Sequence, residues 1–221
     1  MFKKLKSNLF SISRTEIVKT SKLSLIATFF GIISNLSLNK FIALNIGPSG
    51  IAIFSQIQNL VNFSTAFSTG GIQNGVIKIV SEKSTYKLKN VITTSFIISL
   101  FSSLTISIFL ILFKESISFF LFGNVEYVNH LLLLAFNLPF LAFNNIIISI
   151  LNGDNQIFNL VKIRVLTHVF QLTVTLALLY YFGFNIGLFS FLTVHFFVFI
   201  ITIFLVLEKK YLPTINAKSF D

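Results

Sequence analysis

Charge is scarce in this sequence: Asp, Glu, Lys and Arg make up only 11% of its 221 residues, and only 7 of them are acidic. A soluble domain carries about 25% charged residues. With 54% hydrophobic residues and a mean hydropathy of +0.86, a chain of this length could not bury its apolar surface in one soluble core. Cysteine is absent, which excludes disulfides, thiolate metal sites and a cysteine nucleophile. No Gly-rich phosphate loop, HExxH, GxSxG or paired carboxylates occur, so neither hydrolysis nor nucleotide use is supported, and neither an enzyme nor a cofactor is expected. His130, His168 and His195 fall in three separate apolar segments without metal-ligand spacing and read as interfacial or packed side chains.

Phenylalanine is abundant. Most of the 29 Phe sit in uncharged runs such as Ser95 to Phe113 and Leu188 to Leu207, where they serve as lipid-facing and interhelical bulk rather than as stacking platforms. The expected fold class is therefore all-α integral membrane, with membrane lipid and no nucleic acid as partner. Segments of roughly 20 apolar residues can cross a bilayer. Breaks at Gly, Pro and charge divide the chain into six such spans, at 22–45, 50–80, 90–113, 128–152, 157–181 and 185–207. The last two are separated by the turn Gly183-Phe-Asn-Ile-Gly187, and the short stretch Ile117 to Phe122 is expected to lie along the outer interface.

Basic residues orient these spans. Of the 17 Lys and Arg, all but Lys40 and Lys114 fall before the first span or in alternate connections. The positive-inside rule then puts both termini in the cytoplasm, with residues 1–21 as an uncleaved amphipathic lead-in and 208–221 as a cytoplasmic tail or linker.

Polar residues recur on one face of the apolar helices. The first span carries Ser24, Thr28, Gly31, Asn35 and Asn39 within about 80° of one another. The second carries Ser55, Asn59, Asn62, Ala66, Thr69 and Gln73, and the fourth adds Asn137, Asn144, Asn145, Ser149 and Asn152 around a kink-forming Pro139. Taken singly, such residues are interhelical glue; as two consecutive stripes of amides they are expected to line a hydrated cavity. Gly70-Gly71 should bend the second span, either as a hinge or as a close crossing. Lys40, about 27 Å along the helix from Lys22, either snorkels or serves a site, and Lys78 is a candidate for attracting an anionic head group. The candidate cavity residues are thus Asn35, Asn39, Lys40, Asn59, Asn62, Gln73 and Lys78.

Four stretches carry a family resemblance: Asn39 to Gly50 with Gln56 to Leu60; Gly70 to Glu82; Leu121-Phe-Gly-Asn124 with Tyr127; and Leu151-Asn-Gly-Asp154. In order and spacing the chain resembles the front half of Wzx-type flippases of O-antigen and enterobacterial common antigen. These form part of the multidrug, oligosaccharidyl-lipid and polysaccharide exporter superfamily. The resemblance implies one six-helix lobe of a two-lobe fold in the bacterial inner membrane. It also implies alternating-access transport of undecaprenyl-diphosphate-linked oligosaccharide through a cationic cavity, with Lys40 and Lys78 at basic positions of the family's motifs. A half-length chain is expected to be truncated, or to pair with a second copy or a separate back lobe; a non-transporting membrane scaffold or remnant remains an alternative. An ion-coupled drug exporter is a further alternative, disfavoured because no carboxylate lies between Lys22 and Lys78.

Overall fold

The computed structural model describes the backbone of residues 14–82 and 85–208 and the side chains of 21–82, 88 and 90–206. Most of the expected lead-in, with Lys3, Lys4 and Lys6, and the tail from Lys209 lie outside the described residues. Among the described residues the chain forms eight helices. These are α1 (Arg14–Asn45), α2 (Pro48–Ser68), α3 (Gln73–Ser81), α4 (Thr85–Leu112), α5 (Lys114–Phe122), α6 (Val128–Gly153), α7 (Ile157–Phe182) and α8 (Phe184–Glu208).

Helices suit such apolar runs because each backbone N–H and C=O is satisfied within the segment, as hydrocarbon surroundings require. Five of them are long and apolar enough to cross a membrane: Ser21–Asn45, Asn90–Leu112, Val128–Gly153, Ile157–Phe182 and Phe184–Val206. At 1.5 Å per residue they reach about 35–39 Å, more than a hydrocarbon core of about 30 Å. Their outward faces are greasy: Leu44 is 76% exposed and Phe101 68%. An apolar surface this extensive is at home only in lipid.

The second span, expected over 50–80 with a bend at Gly70-Gly71, is broken at those glycines. Five helices rather than six are both long and apolar enough to cross alone, because the second span is split into the nine-residue α3, which is too short, and the 21-residue α2, which is long enough but carries Gln56, Gln58, Asn59 and Asn62. The cause is local. Gly70 and Gly71 both adopt left-handed backbone angles, φ +61° and +67°, which cost an L-residue about 1–2 kcal/mol each. A Cβ at Gly70 would also stand 3.1 Å from Ile98 Cγ2 and Ser102 Oγ of α4. The two glycines thus turn the chain while letting it press against α4.

Helix α6 is the hub, packing against α2, α3, α4, α5, α7 and α8, while α1 packs on α7 and α2. Pro139 sits within α6 and removes the N–H that would bond the Ala135 carbonyl one turn earlier. Ser107 of α4 takes its place, donating from Oγ to Ala135 O at 2.7 Å. The main apolar core, built on Leu38, Ile42, Phe54, Leu134, Leu138 and Leu188, fills the half of the bundle near the α1–α2 turn. Three smaller clusters, centred on Val76 and Ile150, on Leu151 and Ile163, and on Ala27 and Leu160, occupy the half near the α6–α7 turn. Between them the packing opens.

Candidate functional site

The opening is a cavity of about 530 Å³ walled by α1, α2, α6, α7 and α8, with the first residue of α3 at its edge. Ala27 and Thr28 come from α1, Val61, Asn62, Thr65 and Ala66 from α2, and Gln73 from α3. Helix α6 adds Leu141, Asn144, Asn145 and Ile148, α7 adds Arg164, Thr167 and His168, and α8 adds His195. Amides, hydroxyls, imidazoles and one guanidinium therefore share a space otherwise bounded by aliphatic side chains. No Asp or Glu lines it.

Two contacts hold the α1 and α7 walls in register. Ser34 Oγ donates to the backbone oxygen of His168 at 3.0 Å. Gly31 lies beneath the imidazole, so close that a Cβ there would stand 2.9 Å from His168 Nε2. The bare backbone at residue 31 leaves room for the ring to pack against α1. On the opposite side, Thr65 returns its hydroxyl to Val61 O at 2.6 Å, which satisfies it within its own helix and leaves the amide of Asn62 beside it free to face the opening.

Several polar atoms in the bundle lack a protein partner. Asn144 Oδ1 and His195 Nε2, both of residues lining the cavity, are buried without a hydrogen bond. An unmet polar atom in a protein interior costs about 1–3 kcal/mol. The arrangement therefore suits a ligand or water that brings its own donors and acceptors.

Of the residues expected to line a cavity, the structure brings together Asn62 and Gln73. Asn35 lies outside the wall, where its Oδ1 accepts from Gln58 Nε2 at 3.3 Å and so joins the polar faces of α1 and α2. Asn39 is half-buried with its Oδ1 unpartnered, and Asn59, Lys40 and Lys78 are exposed and also lie outside the wall. Arg164, His168 and His195 were not among the expected site residues. The i,i+4 spacing of Arg164 and His168 marks a shared helical face, but nothing local points to His195. The histidines had seemed unrelated because they belong to different helices; α7 and α8 pack side by side. Among the described residues no group of three or more His, Asp or Glu could hold a metal ion.

The Lipid III flippase of Escherichia coli strain K12 is 27% identical over 139 residues, covering 62% of this chain and 33% of the relative. The Lipid III flippase of Shigella flexneri matches with the same identity and coverage. The matched region thus spans about a third of the length of these curated relatives. No solved structure matches the chain. Residues 50–221, well over half of the sequence and including the α2–α3 break and every helix after it, match the family described as polysaccharide biosynthesis protein. This multi-pass, all-α membrane chain, with its amide-lined cavity, therefore belongs to the polysaccharide biosynthesis protein family.

Proposed function

We propose that the chain is the front lobe of a flippase that carries an undecaprenyl-diphosphate-linked oligosaccharide, of the O-antigen or enterobacterial common antigen type, across the bacterial inner membrane. The observation that carries this reading is the cavity: amides, hydroxyls and one arginine, without a carboxylate, inside a bundle whose outer surface is apolar. Amides and hydroxyls match the hydroxyls of a sugar, the guanidinium matches a phosphate, and the apolar helix surfaces leave a polyprenyl tail in lipid. The names of the two Lipid III flippases support the substrate class. A cation exporter would need an intramembrane carboxylate to bind its cargo or coupling ion, and the cavity has none among its lining residues.

In this reading α2 and α3 together form the second of six crossings, a discontinuous span of the kind transporters place beside their substrate sites. Both termini are cytoplasmic, and the lobe works by alternating access against a second one. Asn35 and Asn39 continue the polar face of α1 beyond the cavity. Lys40 and Lys78, on the exposed surface of α1 and α3, lie along the approach of the anionic head group. The chain acts as a transporter rather than an enzyme.

The test is transport by the full chain, with any partner lobe it requires, in vesicles loaded with lipid-linked oligosaccharide, read by access of an external lectin. Asn62→Leu with Gln73→Leu should lower flipping at least tenfold at unchanged membrane insertion, the loss of about 1.4 kcal/mol of binding. Undiminished flipping in that variant would remove the cavity from the substrate path.

A further inference from the structure

Arg164, His168 and His195 line one cavity with no Asp or Glu beside them. Its other polar walls are Thr28, Asn62, Thr65, Gln73, Asn144, Asn145 and Thr167, from α1, α2, α3, α6 and α7, and none of these ionises. The two imidazoles are thus the titratable groups in a space that already holds a fixed positive charge. We infer that His168 and His195 take up protons as an anion enters this cavity, so that occupancy of the site is coupled to pH.

Three observations carry the inference. First, no carboxylate faces either ring from the cavity walls, so a protonated imidazole there has no resident counter-charge, and the anion that enters is the group that can supply it. Second, His195 Nε2 is buried without a hydrogen-bond partner. A neutral imidazole has one donor and one acceptor nitrogen, whereas an imidazolium has two donors. A ligand oxygen arriving at Nε2 converts an unmet atom into a charge-assisted hydrogen bond once the ring is protonated. Third, His168 is held in place through the Ser34 bond to its backbone oxygen and through Gly31 under its ring. It therefore stays on the same wall as Arg164, one helical turn away.

The proton balance is simple. Each ring binds one proton drawn from water when the anion arrives and returns it when the anion leaves. The lining moves from the single charge of Arg164 toward three. Protonation and anion binding strengthen each other by the same factor, because linkage is reciprocal. For each proton taken up, anion affinity falls about tenfold per unit rise in pH.

The inference rests on the cavity being an anion site, and the experiment separates the two claims. The purified full chain in detergent micelles is titrated with sulfate, a dianion whose own charge does not change between pH 5.5 and 8. Calorimetry in buffers of different ionisation enthalpy counts the protons taken up. The expected result is net proton uptake, with affinity falling about tenfold per pH unit for each proton counted. His168→Gln and His195→Gln should each reduce the uptake, and the double variant should bind sulfate with a flat pH profile. Arg164→Gln should weaken sulfate at every pH by about tenfold or more. Sulfate binding that needs Arg164 but is independent of pH would overturn the proton coupling while leaving the anion site intact. A pH dependence that survives in the double His variant would likewise overturn it. Absence of sulfate binding at any pH would overturn both claims.

Discussion

Replacing Ser107 by Ala probes how this bundle tolerates a proline in its central helix. Pro139 leaves the Ala135 carbonyl without its usual N–H partner, and Ser107 Oγ meets that oxygen at 2.7 Å. Ala135 is 1% exposed, so water cannot substitute. Ser107→Ala should therefore cost the price of a bare buried carbonyl, about 1–3 kcal/mol. With Pro139→Ala already in place, the new N–H at 139 can close the ordinary intrahelical bond. The same Ser107→Ala should then cost about 0.6 kcal/mol, the average for a side-chain hydrogen bond within a membrane protein. The two sites are thus coupled by about 0.4–2.4 kcal/mol. Reversible unfolding of the four purified proteins in mixed micelles, followed by circular dichroism against detergent composition, closes the cycle. If Ser107→Ala costs the same in both backgrounds to within about 0.3 kcal/mol, the bond to Ala135 does not compensate for Pro139 and the reasoning fails.

Three further predictions concern glycines. A Cβ at Gly153 would stand 2.7 Å from Val80 Cβ and 2.8 Å from the Ile77 backbone oxygen, so Gly153→Ala should push α3 from α6 at a cost of about 1–3 kcal/mol. Gly75, in the interior of α3 with open space where its Cβ would be, should give the opposite sign, with Gly75→Ala neutral or stabilising by up to about 1 kcal/mol; apparent melting temperatures of the two variants measured side by side should diverge. Gly70→Ala with Gly71→Ala should destabilise by about 2–4 kcal/mol, since both positions require a left-handed backbone. A melting temperature unchanged from that of the native chain would show that the α2–α3 break does not depend on these residues.

Much of the fold could be read along the chain. Runs of Ile, Leu and Phe free of charge dictate helices long enough to cross a membrane, because hydrocarbon leaves a backbone few other ways to satisfy its polar groups. Gly70-Gly71 signalled a bend, and the structure sharpens the bend into a break with two left-handed residues. The polar stripes were also visible from spacing. Their periodicity marks one face of each helix, yet it led to Asn35, Asn39 and Asn59, which lie outside the cavity wall, as readily as to Asn62 and Gln73, which line it.

The difference between those two groups is physical. A period of 3.6 specifies which side of a helix is polar, but it contains no term for the neighbour that side will meet. Ser34 and His168, hydrogen-bonded at 3.0 Å, are 134 positions apart in sequence, and Arg164 and His195 share a cavity wall because α7 and α8 pack together against α6. Membrane residence, helix lengths and the position of the break are local consequences of composition and backbone chemistry and belong to the sequence itself. The meeting of one arginine, two histidines and the amides of three helices around a single space was decided by tertiary packing, since only the side-by-side arrangement of helices distant along the chain determines which polar faces share a cavity.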